Sequence, residues 1–444
     1  MRRAARGLAF LCAISPSAHG QIVASERPCT LVVGPANDPA PAERADGRRS
    51  GLARAPLPTG ALRVAWRRSV GPSIEHAPLV TREGKILVLT GRSDLVELDG
   101  EGTEQGRVAL GGGPLGPGSI LSDGTVVTIN TAGEAVGVRG SGVRFRTRVG
   151  DRGMIVKVAP LALDDGGVVV ANGVRGAVAD RFASEFAVLD AEGRVRSRAR
   201  VPEQIVWPLV STDHGIAGVS ANGGIYLWSP GSNPIRVASF GGILEGGAAA
   251  VDGNTLVGVV DAARLVTVDL VHGVAKVSAV AGSGGAGAGA LLGPPSAVGG
   301  TLFAFEMTPA STRVVTVDRT GRTATFPIAA FAPTLQADGT LAPLVAPVRT
   351  AMMVDAPGTV AFAGPDGHVG VALAGGMTEL GEVICGRGAP PPTPSSAAGA
   401  QGQGHPAAAG LRPSAGFAGM ASVGPGVFLV ACEAGSLLEV RSDP

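Results

Sequence analysis

The sequence predicts an all-β fold: an eight-bladed β-propeller of four-stranded antiparallel blades, closed by an N-terminal strand, with seven blades as the alternative count. Three observations carry this. An aliphatic residue followed by three residues and a glycine recurs at Leu98, Val138, Leu189, Leu227, Val317 and Val371, and with one extra residue from Val268 to Gly273. Successive starts lie 38 to 54 residues apart, the length of a four-stranded blade with variable loops. A second marker, a glycine turn opening an apolar strand, precedes these at Gly84, Gly124, Gly167, Gly253, Gly300 and Gly358, with Gly215 the weakest of the series. Finally, a last unit has strands at 426–432 and 436–440 but no fourth strand, whereas residues 62–70 have the pattern of an outer strand and no unit of their own.

Composition agrees with this layout. Hydrophobic residues make up 45% of the chain, aromatics only 4%, and glycine accounts for 69 of the 444 residues, so the core is aliphatic and the turns are glycine-rich. Lysine occurs only at 85, 157 and 276, and the excess of arginine, alanine and glycine points to a GC-rich, bacterial genome. Lys+Arg 37 against Asp+Glu 36 leaves a formal charge of +1, which supplies no field for a nucleic acid partner.

Taken in order, residues 1–20 read as a signal peptide. Arg2, Arg3 and Arg6 form a positive region, Leu8 to Ile14 a short apolar run, and Ala18-His19-Gly20 a cleavage site before Gln21. Bulky residues precede Cys12, which disfavours a lipid anchor, and the expected location is secreted or periplasmic. Residues 21–61 form an extended lead and 62–444 the propeller, within which 386–414 is a flexible Pro/Gly/Ala-rich insertion. No membrane span is expected after cleavage, because even the valine-rich stretch 256–280 carries five ionisable residues, Asp261, Arg264, Asp269, His272 and Lys276. The third unit carries a longer loop around 175–184. The fourth strands at 143–149 and 195–201 alternate arginine with apolar residues, as half-exposed outer strands do.

The strand Asp123-Gly124-Thr125-Val126-Val127 and the run Leu189-Asp190 to Gly193 resemble the blade signature of the quinoprotein-like (PQQ-like) repeat propellers, over residues 62–444. The resemblance implies the ring. Enzymes of that family hold their quinone with a tryptophan platform, a vicinal cysteine pair and calcium ligands. This chain has no adjacent cysteines, and Trp66, Trp207 and Trp228 fall at differing strand positions, so the likeness is to the non-catalytic branch, such as the propeller that scaffolds outer-membrane protein assembly.

Residues able to carry chemistry are sparse. His76, His214, His272, His368 and His405 are scattered over different units without metal-ligand spacing. Gly282-Ser283-Gly284-Gly285-Ala286-Gly287 matches a phosphate-binding pattern but leads into another blade, so it reads as an interblade loop. Asp164-Asp165-Gly166-Gly167 and Asp213-His214-Gly215 read as hairpin turns rather than cation sites. No catalytic, cofactor-binding or metal residue is assigned and no cofactor is expected. Cys29, Cys385 and Cys432 are the disulfide candidates, with a Cys29 to Cys385 bridge proposed from position. The expected function is an exported, monomeric binding or scaffolding protein for a protein or glycan. The alternative is a quinone-dependent oxidoreductase or another enzyme whose groups converge in the channel. The side chains lining the channel discriminate the two.

Overall fold

A computed structural model describes residues 38, 40, 42, 44, 46, 48–113, 115–154, 158–175, 182–281, 289–308, 311–330, 351–363, 369–373, 376–380, 385 and 416–442. They form eight antiparallel four-stranded sheets. Blades 1 to 7 span 79–109, 119–148, 161–201, 210–239, 244–280, 290–330 and 351–379, each with its strands side by side in chain order. Blade 8 is composite. Phe417–Gly424, Val427–Cys432 and Ser436–Ser442 are its first three strands, and Leu62–Ser69 is the fourth, paired with the last from Leu62 opposite Ser442 to Ser69 opposite Ser436. The expected closure strand therefore forms, ending at Ser69, and it joins the two ends of the described chain in one blade.

Eight clusters of buried side chains hold the ring, each shared by two neighbouring blades. One joins Leu79 and Leu87 of blade 1 to Ile120 and Val126 of blade 2, and another joins Leu429 and Leu437 of blade 8 to Val88 and Val96 of blade 1. The core is distributed around a circle, which explains how a chain above the usual single-domain size stays one body.

The recurring motifs have a local cause. In the turn after the third strand, the aspartate of the Leu-Asp-x-x-Gly signature caps two backbone N–H groups. Asp99 Oδ1 accepts from the N–H groups of Glu101 and Thr103 at 3.0 and 2.9 Å, and Asp190 and Asp318 repeat the arrangement. The glycine follows because the turn closes in the left-handed region, with φ +76° at Gly102 and +79° at Gly193. These aspartates are turn residues.

In the third unit the second and third strands, Val168–Arg175 and Phe182–Leu189, pair along their full length, so residues 182–184 of the loop expected around 175–184 belong to a strand, and 176–181 lie outside the described residues. The outer strands also differ from simple half-exposed ribbons. One arginine on each of the first three faces the seam to the preceding blade, where Arg107 Nη2 donates to the carbonyl of Val70 (3.1 Å), Arg146 to that of Leu110, and Arg198 Nη2 to that of Arg148 (2.7 Å). Each also pairs with an acid lying diagonally across the ladder, Asp94, Glu134 and Glu185 respectively. An arginine latch thus ties blade 1 to 8, 2 to 1 and 3 to 2.

Candidate functional site

The first strand of each blade has one edge paired within its sheet and one edge facing the axis. An unpaired strand edge presents free N–H and C=O groups that need partners. Those partners come from the N-terminal segment. Ala40 and Val80 of blade 1 exchange backbone hydrogen bonds at 3.3 and 3.0 Å, and Ala42 bridges to Ser119 of blade 2. The N–H of Ala250 in blade 5 donates to the carbonyl of Arg48 (2.8 Å), and that of Ala297 in blade 6 to Ser50 (2.9 Å). In blade 7, Val354 N–H donates to Gly51 (2.9 Å) and its carbonyl accepts from Ala53 (2.8 Å), while Gly426 of blade 8 donates to the carbonyl of Pro56 (2.8 Å).

Blades 3 and 4 are reached through side chains, with Arg48 lying 3.6 Å from Asp213 of blade 4 and Arg49 reaching both blades. Arg49 is fully buried, and its guanidinium donates to the carbonyls of Leu209 (Nε, 3.0 Å), Pro160 (Nη2, 2.8 Å) and Ala159 (Nη2, 3.4 Å). The segment 38–57 therefore touches all eight blades at or beside their inner edges. Its backbone is folded back on itself, with Arg54 donating to the carbonyl of Asp38 (2.8 Å) and Ser50 bonded to both carboxylate oxygens of Asp46. At the axis the ring is met by the chain's own Ala40, Ala42, Arg49, Ser50, Gly51 and Ala53, together with the charged Asp38, Arg44, Asp46, Arg48 and Arg54 of the same segment. Sequence reasoning reads this stretch as a simple lead, because its partners are as distant as Arg49 and Leu209.

The residues singled out in the sequence remain apart. His76 bonds the carbonyl of Leu115 (2.9 Å), His214 the side chain of Asn254 (2.6 Å), and His272 lies against Asp269 (2.8 Å). Asp165 accepts from Gly167 N–H and from Arg196, as a turn residue does, and Asp213 lies 3.6 Å from Arg48. Trp228 is buried and stacked on Phe186 with ring centroids 5.3 Å apart, while Trp66 donates to the carbonyl of Gly100 (3.2 Å). His368, His405, the pattern at 282–287, the signal segment 1–20, Cys29 and the insertion 386–414 lie outside the described residues.

One expectation is corrected. Cys385 is bonded to Cys432, not to Cys29. Cys385 follows the last strand of blade 7 and Cys432 ends the second strand of blade 8, so the bond joins two blades across the base of the insertion. Both sulfurs lie in the core that also buries Ala53 and Leu57 of the axial segment. Spacing along the chain does not reveal that the chain returns to that point.

Among the described residues no group of three His, Cys, Asp or Glu side chains is placed to hold a metal ion, and no helix is long and apolar enough to cross a membrane. A polar cluster on blade 4 gathers Glu203, Ser220, Tyr226 and Arg236. Burial pushes the Glu203 carboxyl up, but hydrogen bonds from Ser220 (2.5 Å) and Tyr226 (2.7 Å), with Arg236 nearby, outweigh it and hold the group below its ordinary range. Burial and this carboxylate raise the Tyr226 phenol. The pair is a committed donor and a committed acceptor, with neither group poised to exchange a proton near neutrality.

The outer rim changes character at blades 4 and 5. Blade 4 retains Arg236 at the latch position with Glu203 as its acid, but in blade 5 that position, opposite Val266, is Val277. The outer strand Val274–Val280 exposes Val274, Val277 and Val280, and Val271 in the turn before it, Ile235 on the outer strand of blade 4 and Ile243 in the connection between the two blades are exposed as well. Of the eight large apolar side chains exposed among the described residues, these are six. The patch escapes periodicity analysis, and its signal is an outer strand of blade 5 with three valines and no arginine, arginine being absent from the outer strands of blades 6 and 7 as well.

No protein-family model and no curated protein sequence matches the chain. Solved structures do. The computationally designed Ika8 protein matches at 11% identity and TM-score 0.54, over 84% of this chain and 98% of its own. The quinohemoprotein alcohol dehydrogenase ADHIIG from Pseudomonas putida HK5 matches at 11% and 0.53, over 91% of this chain and 80% of that one. BamB from Moraxella catarrhalis matches at 12% and 0.49, over 86% and 98%. The likeness is one of fold. At these identities it extends to the β-propeller architecture and not to a family, a branch or an activity.

Proposed function

We propose that this chain is an exported propeller that binds a protein partner at the rim of blades 4 and 5 and performs no catalysis. The observation that carries the reading is the concentration of exposed aliphatic side chains on blades 4 and 5, six of the eight found among the described residues, with Val277 at the latch position. None of the eight exposed large apolar side chains is aromatic, and this favours a protein over a glycan, for which flat ring faces are the usual platform. The axial segment supports the non-catalytic part, since it stands where channel-converging catalytic groups would meet. Export rests on the basic and apolar run at 2–14 and its cleavage site, and sequencing the N-terminus of the released protein tests it, with Gln21 as the expected first residue.

The docking test places a photo-crosslinking amino acid at Val277 and, in a second variant, at Arg68 on blade 8. A discrete adduct from Val277 that is absent from Arg68 supports the reading. The same adducts from both positions, or none from Val277, overturn it.

A further inference from the structure

We infer that the propeller axis is a binding site for a folded-back polypeptide segment, occupied in cis by residues 38–57, with Arg49 as the anchor that the site recognises. The inference goes beyond rim docking and does not depend on it. The segment belongs to no blade, and its described residues meet the ring through the side chains of Arg44 and Arg49 and through backbone bonds to inner strand edges, the mode by which a sheet edge takes up a peptide. Such bonds accept almost any sequence. Selectivity comes from Arg49, whose planar fork of donors is matched by three carbonyls of blades 3 and 4 and sealed from water.

Small neighbours make room for it. Gly51 has φ +72°, and a Cβ there would stand 2.3 Å from Ser296 Oγ, so the backbone lies flush against blade 6. Arg44 reaches the same blade, donating to the carbonyl of Pro295 and to Ser296 Oγ (3.2 Å). The tether from this segment to the closure strand, Thr59-Gly60-Ala61, is exposed on the surface. The occupant thus has the bonding of a bound peptide and a cleavable link to its receptor. A partner offering a run of small residues with one arginine, able to fold back in the same way, would compete for the same seat, and the cis segment sets the affinity that such a competitor must exceed.

The test introduces a site-specific protease sequence at Thr59 to Ala61 in the full chain and cuts the folded protein there. The nicked protein is expected to retain its N-terminal fragment through gel filtration. A fluorescent synthetic peptide of residues 38–58 should then replace it saturably, under conditions where tryptophan fluorescence of the ring stays native. The same peptide with Arg49→Ala should bind at least thirtyfold more weakly, since charge-assisted bonds to buried carbonyls are lost. Arg49→Lys, which retains charge without the fork, should fall between the two. Three results overturn the inference: unfolding of the ring on cutting or on loss of the fragment, no exchange while the ring is native, and equal binding by the wild-type and Arg49→Ala peptides. The first would make the segment part of the core rather than a ligand. Loss of the Val277 crosslink leaves this assay untouched, so the two readings fail separately.

Discussion

Reducing the Cys385–Cys432 bond should lower the stability of the ring by about 4 kcal/mol. The bond closes a loop of sequence separation 47, and the chain-entropy relation for a loop of that length gives about 4 kcal/mol at 25 °C as the effect of releasing the unfolded chain. Much of the enclosed chain is the Pro/Gly/Ala-rich stretch 386–414, whose composition supplies little that would order it once unfolded. The native side adds to the loss, because both cysteines are buried against Phe417, Phe428 and Leu438 and against Ala53 and Leu57 of the axial segment. Urea titration followed by tryptophan fluorescence measures the effect, with Trp66 in the closure strand of the same composite blade. Oxidised protein, reduced protein and the Cys385→Ala/Cys432→Ala double variant are compared. The last two should unfold at similarly lower urea concentrations. Coincident curves for oxidised and reduced protein would refute the reasoning, since the same atoms then fold equally well without the constraint.

The remaining expectations concern latches, turns and charge. Arg146→Ala, which frees the Leu110 carbonyl and parts from Glu134, should cost about 1–2 kcal/mol in chemical denaturation, whereas Arg200→Ala on the adjacent rim strand should stay within about 0.5 kcal/mol. Gly246→Ala should cost about 1–3 kcal/mol from its left-handed φ of +76° alone, and more because a Cβ would stand 2.5 Å from the Pro294 nitrogen of the neighbouring blade; an unchanged melting temperature would contradict that close approach. Hydrogen bonds hold Asp99 and Asp318 below the ordinary aspartate range, so their contribution is present above about pH 4 and is lost as pH falls through their folded values. Burial raises Asp38, so its contribution has the opposite sign, present at low pH and lost as pH rises through its folded value. Asp38→Asn should therefore stabilise the protein near neutrality, with the gain vanishing in acid, as melting curves across pH would record.

The blades are legible in the sequence because their determinants are local. Asp99, Gly102 and the N–H groups that Asp99 caps lie within five residues, so the turn chemistry appears as a short motif and its repetition gives the count of blades. The closure strand is legible for a related reason: a strand without a unit and a unit without a strand complete each other. The axial segment is not legible, because short runs of alanine, proline and arginine carry no period. What fixes them is the set of inner edges, which exists only once the ring has formed. The cysteine pairing is hidden in the same way. The rim patch is partly visible, since Val274 to Val280 holds only Lys276 as a charged residue whereas its counterparts in blades 1 to 3 carry arginine, but the meaning of those arginines depends on the seam they face.

The position of residues 38–69 has a consequence for the order of events in synthesis. This stretch reaches every blade at the axis and then supplies the rim strand of the eighth, so it is among the first parts of the described chain to be made and has its final partners, Phe428 to Ser442, among the last. Individual blades have what they need for early hairpin pairing as they emerge. The axial stretch and the seam of the ring have to wait for the C-terminal blade, with contacts nearly four hundred residues apart. A nascent chain arrested before residue 417 would hold seven blades, an unsealed gap and a peptide with only part of its seat.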